Sequence, residues 1–329
     1  MKDHWKNSLV GEETSMSAPT EQSSLLFEPV RETESILEAL LRSYDRLGAI
    51  NHVEGKNLPS KRAIALITQD LLRLLFPGFF DERVVRCSEL RAQTATLLES
   101  VQARLENEVR KSLEYEPPEA VRKDQIPKLA RQITLEFLAE MVEVRELLRT
   151  DVEAAYNGDP AAMCQDEVIV AYPCVEAITV QRLAHRLYKK GVALIPRIMT
   201  EWAHGRTGMD LHPGAEIGAY FFIDHGTGTV IGETSKIGNH VRMYQGVGLV
   251  ARSLSDAHAL RGKKRHPTIE DRVTIYSGAT IMGGDTVVGE GSTIGANVFL
   301  THSVPPNSLV INENLQVKVL DKSEYRKRI

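Results

Sequence analysis

Residue types able to move a proton or hold a charge crowd into one stretch of this chain. From Asp210 to Lys236 it reads DLHPGAEIGAYFFIDHGTGTVIGETSK. His225 stands there between Asp224 and Gly226, and an imidazole titrates near neutrality, as a general base should. Gly226 and Gly228 bring no side chains, so a substrate has room beside the ring. Asp210 lies 15 residues upstream, close to one turn of a coil built from three hexads, about 18 residues. Placed beneath His225, its carboxylate accepts the ring's second N–H and fixes the tautomer. A histidine that merely fills a corner is the bland alternative. Downstream, Arg265-His266-Pro267 sets a permanent cation beside another imidazole. No Ser-His-Asp or Cys-His order is apparent, so direct attack on an activated group is the economical chemistry.

Such residues need a backbone that holds them still, and the sequence supplies a repeat. Ile217-Gly218, Ile231-Gly232 and Ile237-Gly238 each set an aliphatic residue before glycine. Ile269, Ile275, Ile281 and Val287 follow at six-residue intervals, and Val288 to Ile294 is another six. Val273, Ala279, Asp285, Ser292 and Val298 stand four places after the inward aliphatics. A period of six fits neither a helix nor an alternating strand. It predicts a parallel β-helix whose faces are one hexapeptide each. The step from Met282 to Val288 carries one extra residue and predicts a bulge. A Gly-rich β-sandwich is the alternative, disfavoured by the unbroken register. Of 23 glycines, 15 lie between Gly214 and Gly295, which sets a domain boundary near Met209.

The runs DLHP, DHGTG, VIGET and RHP, in that order, resemble the serine O-acetyltransferases of cysteine biosynthesis, in the hexapeptide acyltransferase superfamily. The resemblance covers roughly residues 159–308. It implies an α+β chain, an N-terminal all-helical domain followed by a left-handed parallel β-helix, which is an exception to the right-handed crossover rule. It also implies acetyl-CoA as co-substrate, L-serine as acceptor and His225 with Asp210 as the catalytic dyad. Serine is a zwitterion, so by this match Asp224 and Asp159 take its ammonium while Arg265 and His266 take its carboxylate. Glu233 supports that pocket. Asp159 stands in GDPAA, where a helix cap is the competing reading. CoA would lie in the groove between two coils, which implies a homotrimer or a dimer of trimers. Ser277, Gly278 and Ala296 are the matched contacts. Lys263 and Lys264 are candidates for its phosphates, against a merely solvated loop. A metal enzyme of the γ-carbonic-anhydrase type, drawing on His212, His225, His240 and His266, is a rival. The Asp and Arg neighbours of these histidines suit amino-acid binding better, and no metal is expected. A sugar or homoserine acceptor, and a scaffold without catalysis, are the remaining alternatives.

The rest of the chain frames this segment. Residues 1–27 are polar and without period, as expected of a mobile leader. Residues 28–208 read as helical. Ile36, Leu37, Leu40, Leu41, Tyr44 and Leu47 form one apolar face, and Leu90, Thr94, Leu97, Leu98, Val101, Leu105 and Val109 another. Leu135–Leu148 reads as one helix and Val175–Lys190 as the last long one, with His185 as a packed or solvated histidine. The coil spans 209–311, interrupted by a loop over 249–264 that breaks the period. The tail, 312–329, is polar and basic. It ends in Ile329, and by resemblance a terminal isoleucine is expected to dock into O-acetylserine sulfhydrylase. A net charge of −4 offers no polyanion-binding surface, so nucleic acid is not an expected partner. No stretch reaches the length of a membrane span. Three cysteines, Cys87, Cys164 and Cys174, form neither a paired framework nor a CxxC. Together these predict a cytoplasmic enzyme.

Overall fold

The structure is a computed structural model that describes residues 33–252 and 262–313. The expected leader, the tail with Ile329, and the middle of the 249–264 loop lie outside the described residues. The chain divides into two compact units between Gly55 and Lys56. In the first, helix α1 (Thr33–Arg46) buries none of its residues. The apolar face running from Ile36 to Leu47 is 43–47% exposed and is not core. Apart from α1, that unit's described residues contain only one short helical turn, Gly48–Ile50, too little to cover the face.

The second unit begins with helices α2 (Lys61–Leu75), α3 (Cys87–Tyr115), α4 (Ile126–Ala139), α5 (Met141–Gly158), α6 (Gln165–Ala171), α7 (Pro173–Lys189) and α8 (Ile195–Thr207). Their ends follow local chemistry. The Ser60 hydroxyl accepts the Ala63 N–H at 3.3 Å to start α2. Proline opens α4, α7 and α8, and Gly208, at φ 72°, closes α8 in the left-handed conformation. The face of α3 divides: Val101, Leu105 and Val109 are buried, while Leu90 and Leu98 are exposed. Its neighbours α2 and α4 are about half as long as its 29 residues and cover only part of it. Leu135–Leu148 is two helices, not one, broken at Glu140. One intervening residue with near-helical dihedrals leaves the apolar period intact, which hid the break. Helix α8 follows where α7 was expected to be the last long helix. His185 is packed as expected, its Nδ1 2.8 Å from the Pro213 carbonyl oxygen.

From Asp210 the chain winds as a coil. The first turn is β1 (Asp210–Leu211), β2 (Glu216–Ile217) and β3 (Phe222–Asp224). The second is β4 (Val230–Ile231), β5 (Lys236–Ile237) and β6 (Arg242–Tyr244), and the third β7 (Gly248–Val250), β8 (Thr268–Ile269) and β9 (Thr274–Ile275). The fourth is β10 (Thr280–Met282), β11 (Val287–Val288) and β12 (Thr293–Ile294), followed by β13 (Phe299–Leu300) and β14 (Leu309–Val310). Corresponding strands pair in parallel to make three sheets: A (β1-β4-β7-β10-β13), B (β2-β5-β8-β11) and C (β3-β6-β9-β12-β14). Asp210 lies beside Val230, Val230 beside Gly248, Gly248 beside Thr280 and Thr280 beside Phe299, so successive turns take 20, 18, 32 and 19 residues.

The inward ladder is close to the one the repeat predicts. Ile231, Ile237, Leu249, Ile269, Ile275, Ile281 and Ile294 are at most 5% exposed. Val288, not Val287, is the inward residue of β11, and Thr286 replaces the exposed Asp285 beneath it. The extra residue sits in the corner before β11, where Gly283 takes φ 102°, so the strand itself is unbulged. The 249–264 segment also starts later than expected, because Leu249 and Val250 belong to β7.

A coil's first turn has no turn beneath it, and its backbone groups would be orphaned there. The helices satisfy them. Buried Arg182 and Asp151 form a bidentate pair at 2.7 and 2.8 Å. Arg182 also donates to the carbonyls of Ile217 (3.0 Å) and Gly218 (2.7 Å). Asp151 accepts the Phe221 N–H at 3.0 Å, and the Thr150 hydroxyl accepts that of Tyr220 at 3.0 Å.

Candidate active site

His225 follows β3 at the corner where sheet C gives way to sheet A. Its side chain is 72% exposed, and its φ is 60°. Tyr220, His240, Arg272, Asn297 and Asn307 have φ of 55–58° at other corners of the coil, so this conformation belongs to the corner and not to the chemistry. At Gly226, which has φ 73°, an added Cβ would stand 2.0 Å from Met209 Cε, so that side chain would have to shift. Above it, Gly228, Gly246 and Gly278, with φ of 70–77°, form a column along one edge. The Gly246 N–H donates to Thr227 (3.0 Å), that of Gly278 to Gln245 (2.9 Å) and that of Asn297 to Ser277 (2.9 Å). Ser277 and Gly278 therefore lie on the His225 edge two turns up, and Ala296 three turns up.

Charged groups surround this corner. Asp224 Oδ1 is 3.8 Å from His225 Nε2, and Oδ2 is 3.5 Å from Arg242 Nη2. Asp159 ends α5, and the preceding Gly158 is packed so closely on β3 that a Cβ would be 2.8 Å from Phe222. Asp159 Oδ2 accepts the Tyr172 hydroxyl at 2.5 Å and Oδ1 the Ala161 N–H at 2.8 Å. These bonds hold its carboxyl below the usual range, and His225 and Arg242 add weaker electrostatic support. The same bond pushes Tyr172 up to about 12. Asp159 is thus a helix cap that also faces the corner. Asp210 does not hydrogen-bond to His225 here; its carboxylate is 3.3 Å from Arg197. The first turn is 20 residues long, so Asp210 stacks under Val230, past the corner.

Arg265 and His266 occupy another corner, between sheets A and B. His266 is 8% exposed and lies on Gly232, where a Cβ would meet its Cδ2 at 2.0 Å. Its Nδ1 accepts the Thr234 N–H at 3.1 Å. The Thr234 hydroxyl accepts the N–H groups of Arg265 (2.9 Å) and His266 (3.0 Å). Arg265 pairs with Glu233, whose other oxygen accepts the Tyr188 hydroxyl at 2.7 Å. Burial raises the Glu233 carboxyl, but Tyr188 and Arg265 outweigh it and hold it low. Lys263 is exposed, and Lys264 donates to the His266 carbonyl. Both lie away from the His225 edge. His240 lies at the third corner, stacked on Tyr220 at 4.2 Å. The four histidines of the metal alternative thus occupy three different corners, and one chain does not bring them together.

Burial, then Arg265, pushes His266 down to about 4. Burial also lowers His185 and His212. A histidine whose folded-state value is depressed stabilises the fold fully above its unfolded value, about 6.5, and loses that contribution as pH falls from there toward the folded value. Urea midpoints should therefore decline steadily from pH 7 to pH 5, and His266→Asn should flatten the decline. A midpoint independent of pH over that window would contradict the buried, neutral assignment.

Sequence reasoning missed Thr234, Tyr188, Tyr172, Arg197 and Arg242. Thr234 had a signal, a hydroxyl directly after Glu233. Arg242 was reachable by stacking one turn above Phe222. Tyr188 and Arg197 come from helices, and Tyr172 from the junction of two, whose docking the sequence does not specify.

A three-sheeted parallel coil with an exposed histidine at one corner and a glycine column beside it defines a hexapeptide-repeat acyltransferase. A comparison with protein-family models gives no match. Curated proteins do match: the chain is 43% identical over 261 residues to "Serine acetyltransferase, plasmid" of Synechococcus elongatus, covering 77% of this chain and 81% of that one. It is 45% identical over 170 residues to the serine acetyltransferase of Mycobacterium tuberculosis, covering 52% and 71%. The chain belongs to the serine acetyltransferases. Among solved structures, serine acetyltransferase 1 of Entamoeba histolytica in its native form matches with a TM-score of 0.66 and 34% identity, over 84% of this chain and 97% of that one. The same protein in complex with L-cysteine matches with a TM-score of 0.65 and 35% identity, over 74% and 86%. The coil is accordingly the left-handed β-helix of this family, and the reaction is acetyl transfer from acetyl-CoA to the serine hydroxyl. Among the described residues, no helix is long and apolar enough to cross a membrane.

Proposed function

We propose that each active site is built from two chains, with His225 as the base from one and Arg265-His266 from its neighbour. The observation that carries this is their separation: the two groups lie at different corners of one coil, yet the acceptor needs both. His225 takes the proton of the serine hydroxyl as the oxygen attacks the thioester carbonyl. The C–S bond then breaks, and the proton passes to the departing CoA sulfur. Asp224 and Asp159 receive the ammonium, and Arg265 and His266 the carboxylate. Asp210 orients the His225 ring in the substrate complex, by resemblance to the family. Catalytic hydrogen bonds often close only there. CoA runs up the column of Gly228, Gly246 and Gly278, where no Cβ obstructs it, past Ser277 and Ala296. The Entamoeba protein's complex with L-cysteine fits a pocket that grips an α-amino acid head, since cysteine differs from serine only at its sulfur. The assembly is a homotrimer or a dimer of trimers, and the free cysteines Cys87, Cys164 and Cys174 suit the reducing cytoplasm.

Complementation tests this reading. His225→Ala and His266→Ala should each be inactive alone. Co-expressed in equal amounts, they should recover acetyl transfer, because about a quarter of randomly formed interfaces join two intact halves. Recovery no greater than the sum of the single variants would return both groups to one chain.

A further inference from the structure

We propose that Arg242 is a substrate-binding residue: it receives the acceptor's carboxylate while Asp224, beside it, takes the ammonium. The inference rests on the reading of His225 as the base, and it adds a cation from the same chain to the pair supplied by the neighbour.

Arg242 opens β6 and lies beside Phe222 in register. Its guanidinium sits over the Phe222 ring at 5.4 Å and over the Tyr244 ring at 5.0 Å. Two aromatic faces thus help hold the guanidinium in place. Its hydrogen bonding is incomplete. Nη2 makes a long 3.5 Å contact with Asp224, and the buried Nε has no partner. A guanidinium presents donors in a planar fork matched to a carboxylate, and a buried donor without an acceptor is costly to keep. The side chain remains 30% exposed, so a ligand can reach it. Arg265, by contrast, is already paired with Glu233.

The Asp224–Arg242 pair also has the right form. An α-amino acid head is one positive and one negative group attached to a single carbon. A carboxylate and a guanidinium side by side are its complement, laid antiparallel. With the head on this pair, the β-hydroxyl falls toward His225, the next residue along the chain from Asp224.

The test compares L-serine with L-serinamide, which keeps the ammonium and hydroxyl but lacks the carboxylate. In Arg242→Gln the preference for serine over serinamide, as a ratio of kcat/KM, should fall about tenfold or more, through a higher KM for serine. The kcat should stay within about threefold. Arg242→Met keeps an unbranched chain against the two rings without an unpaired donor, and it decides the question if the glutamine variant does not fold. Damage that is only structural lowers both substrates alike. An unchanged preference overturns the proposal. His225→Asn, assayed in parallel, separates the two readings. If it is inactive while the preference in the Arg242 variants is unchanged, only the role of Arg242 fails. If it is fully active, the site itself has been misassigned.

Discussion

His225→Ala is expected to lower turnover by about 10²-fold or more while leaving the assembly folded. The imidazole is 72% exposed, so little packing is lost with it. Acetyl-CoA is already activated, and what remains for the protein is to remove a proton and align two reactants. Removing His225, the proposed base, takes away the first of these. Because position 225 has φ of 60°, His225→Asn is the better-controlled variant, since asparagine tolerates left-handed backbone. It keeps the corner and discards the base. Asp210→Asn should be milder than either, because it mis-orients an imidazole that is still present. Wild-type turnover in His225→Asn would remove this residue from the mechanism.

Arg182→Ala should have the largest effect on stability. Breaking a buried ion pair by removing one partner costs about 3–5 kcal/mol, because the other charge is left uncompensated. Here Asp151 would keep only its bond from the Phe221 N–H. Burial already pushes its carboxyl up, with Arg182 as the principal opposing influence. The carbonyls of Ile217 and Gly218 would lose their donors as well. Replacing both partners with apolar residues, as in Asp151→Leu with Arg182→Met, should cost less than the single change, since no lone charge remains. Urea unfolding reads both. A shift in Arg182→Ala corresponding to less than about 1 kcal/mol would show that the pair contributes little.

The coil was legible in the sequence because each inward residue repeats every six positions and reports its own burial. Ile269, Ile275 and Ile281 are all buried, as read. The repeat misled by one position where an extra residue entered, because Val287 and Val288 are chemically alike and only the corner geometry chooses between them. The corner motifs were legible too, down to His266, yet their grouping was not. Sequence spacing suggested that Asp210 lies beneath His225, but the first turn is two residues longer than three hexads, which carries Asp210 past the corner. The contacts of Tyr188, Tyr172 and Arg197 depend on how helices dock onto strands, and no local periodicity encodes that. Helix α1 shows the same limit from the other side. Its amphipathic pattern is real, but a pattern specifies a face and not what covers it.

The pair of Arg182 and Asp151 beneath the coil also bears on how the molecule comes into being. Every strand of a solenoid bonds only to the turn before it and the turn after it, so order spreads from rung to rung. The lowest rung has no predecessor, and the donors and acceptors it would need are held by α5 and α7. Those helices leave the ribosome first, and N-terminal elements are free to fold during synthesis, so the groups that the first rung needs are in place before its strands emerge. The helical part therefore stands to the first rung as each rung stands to the next.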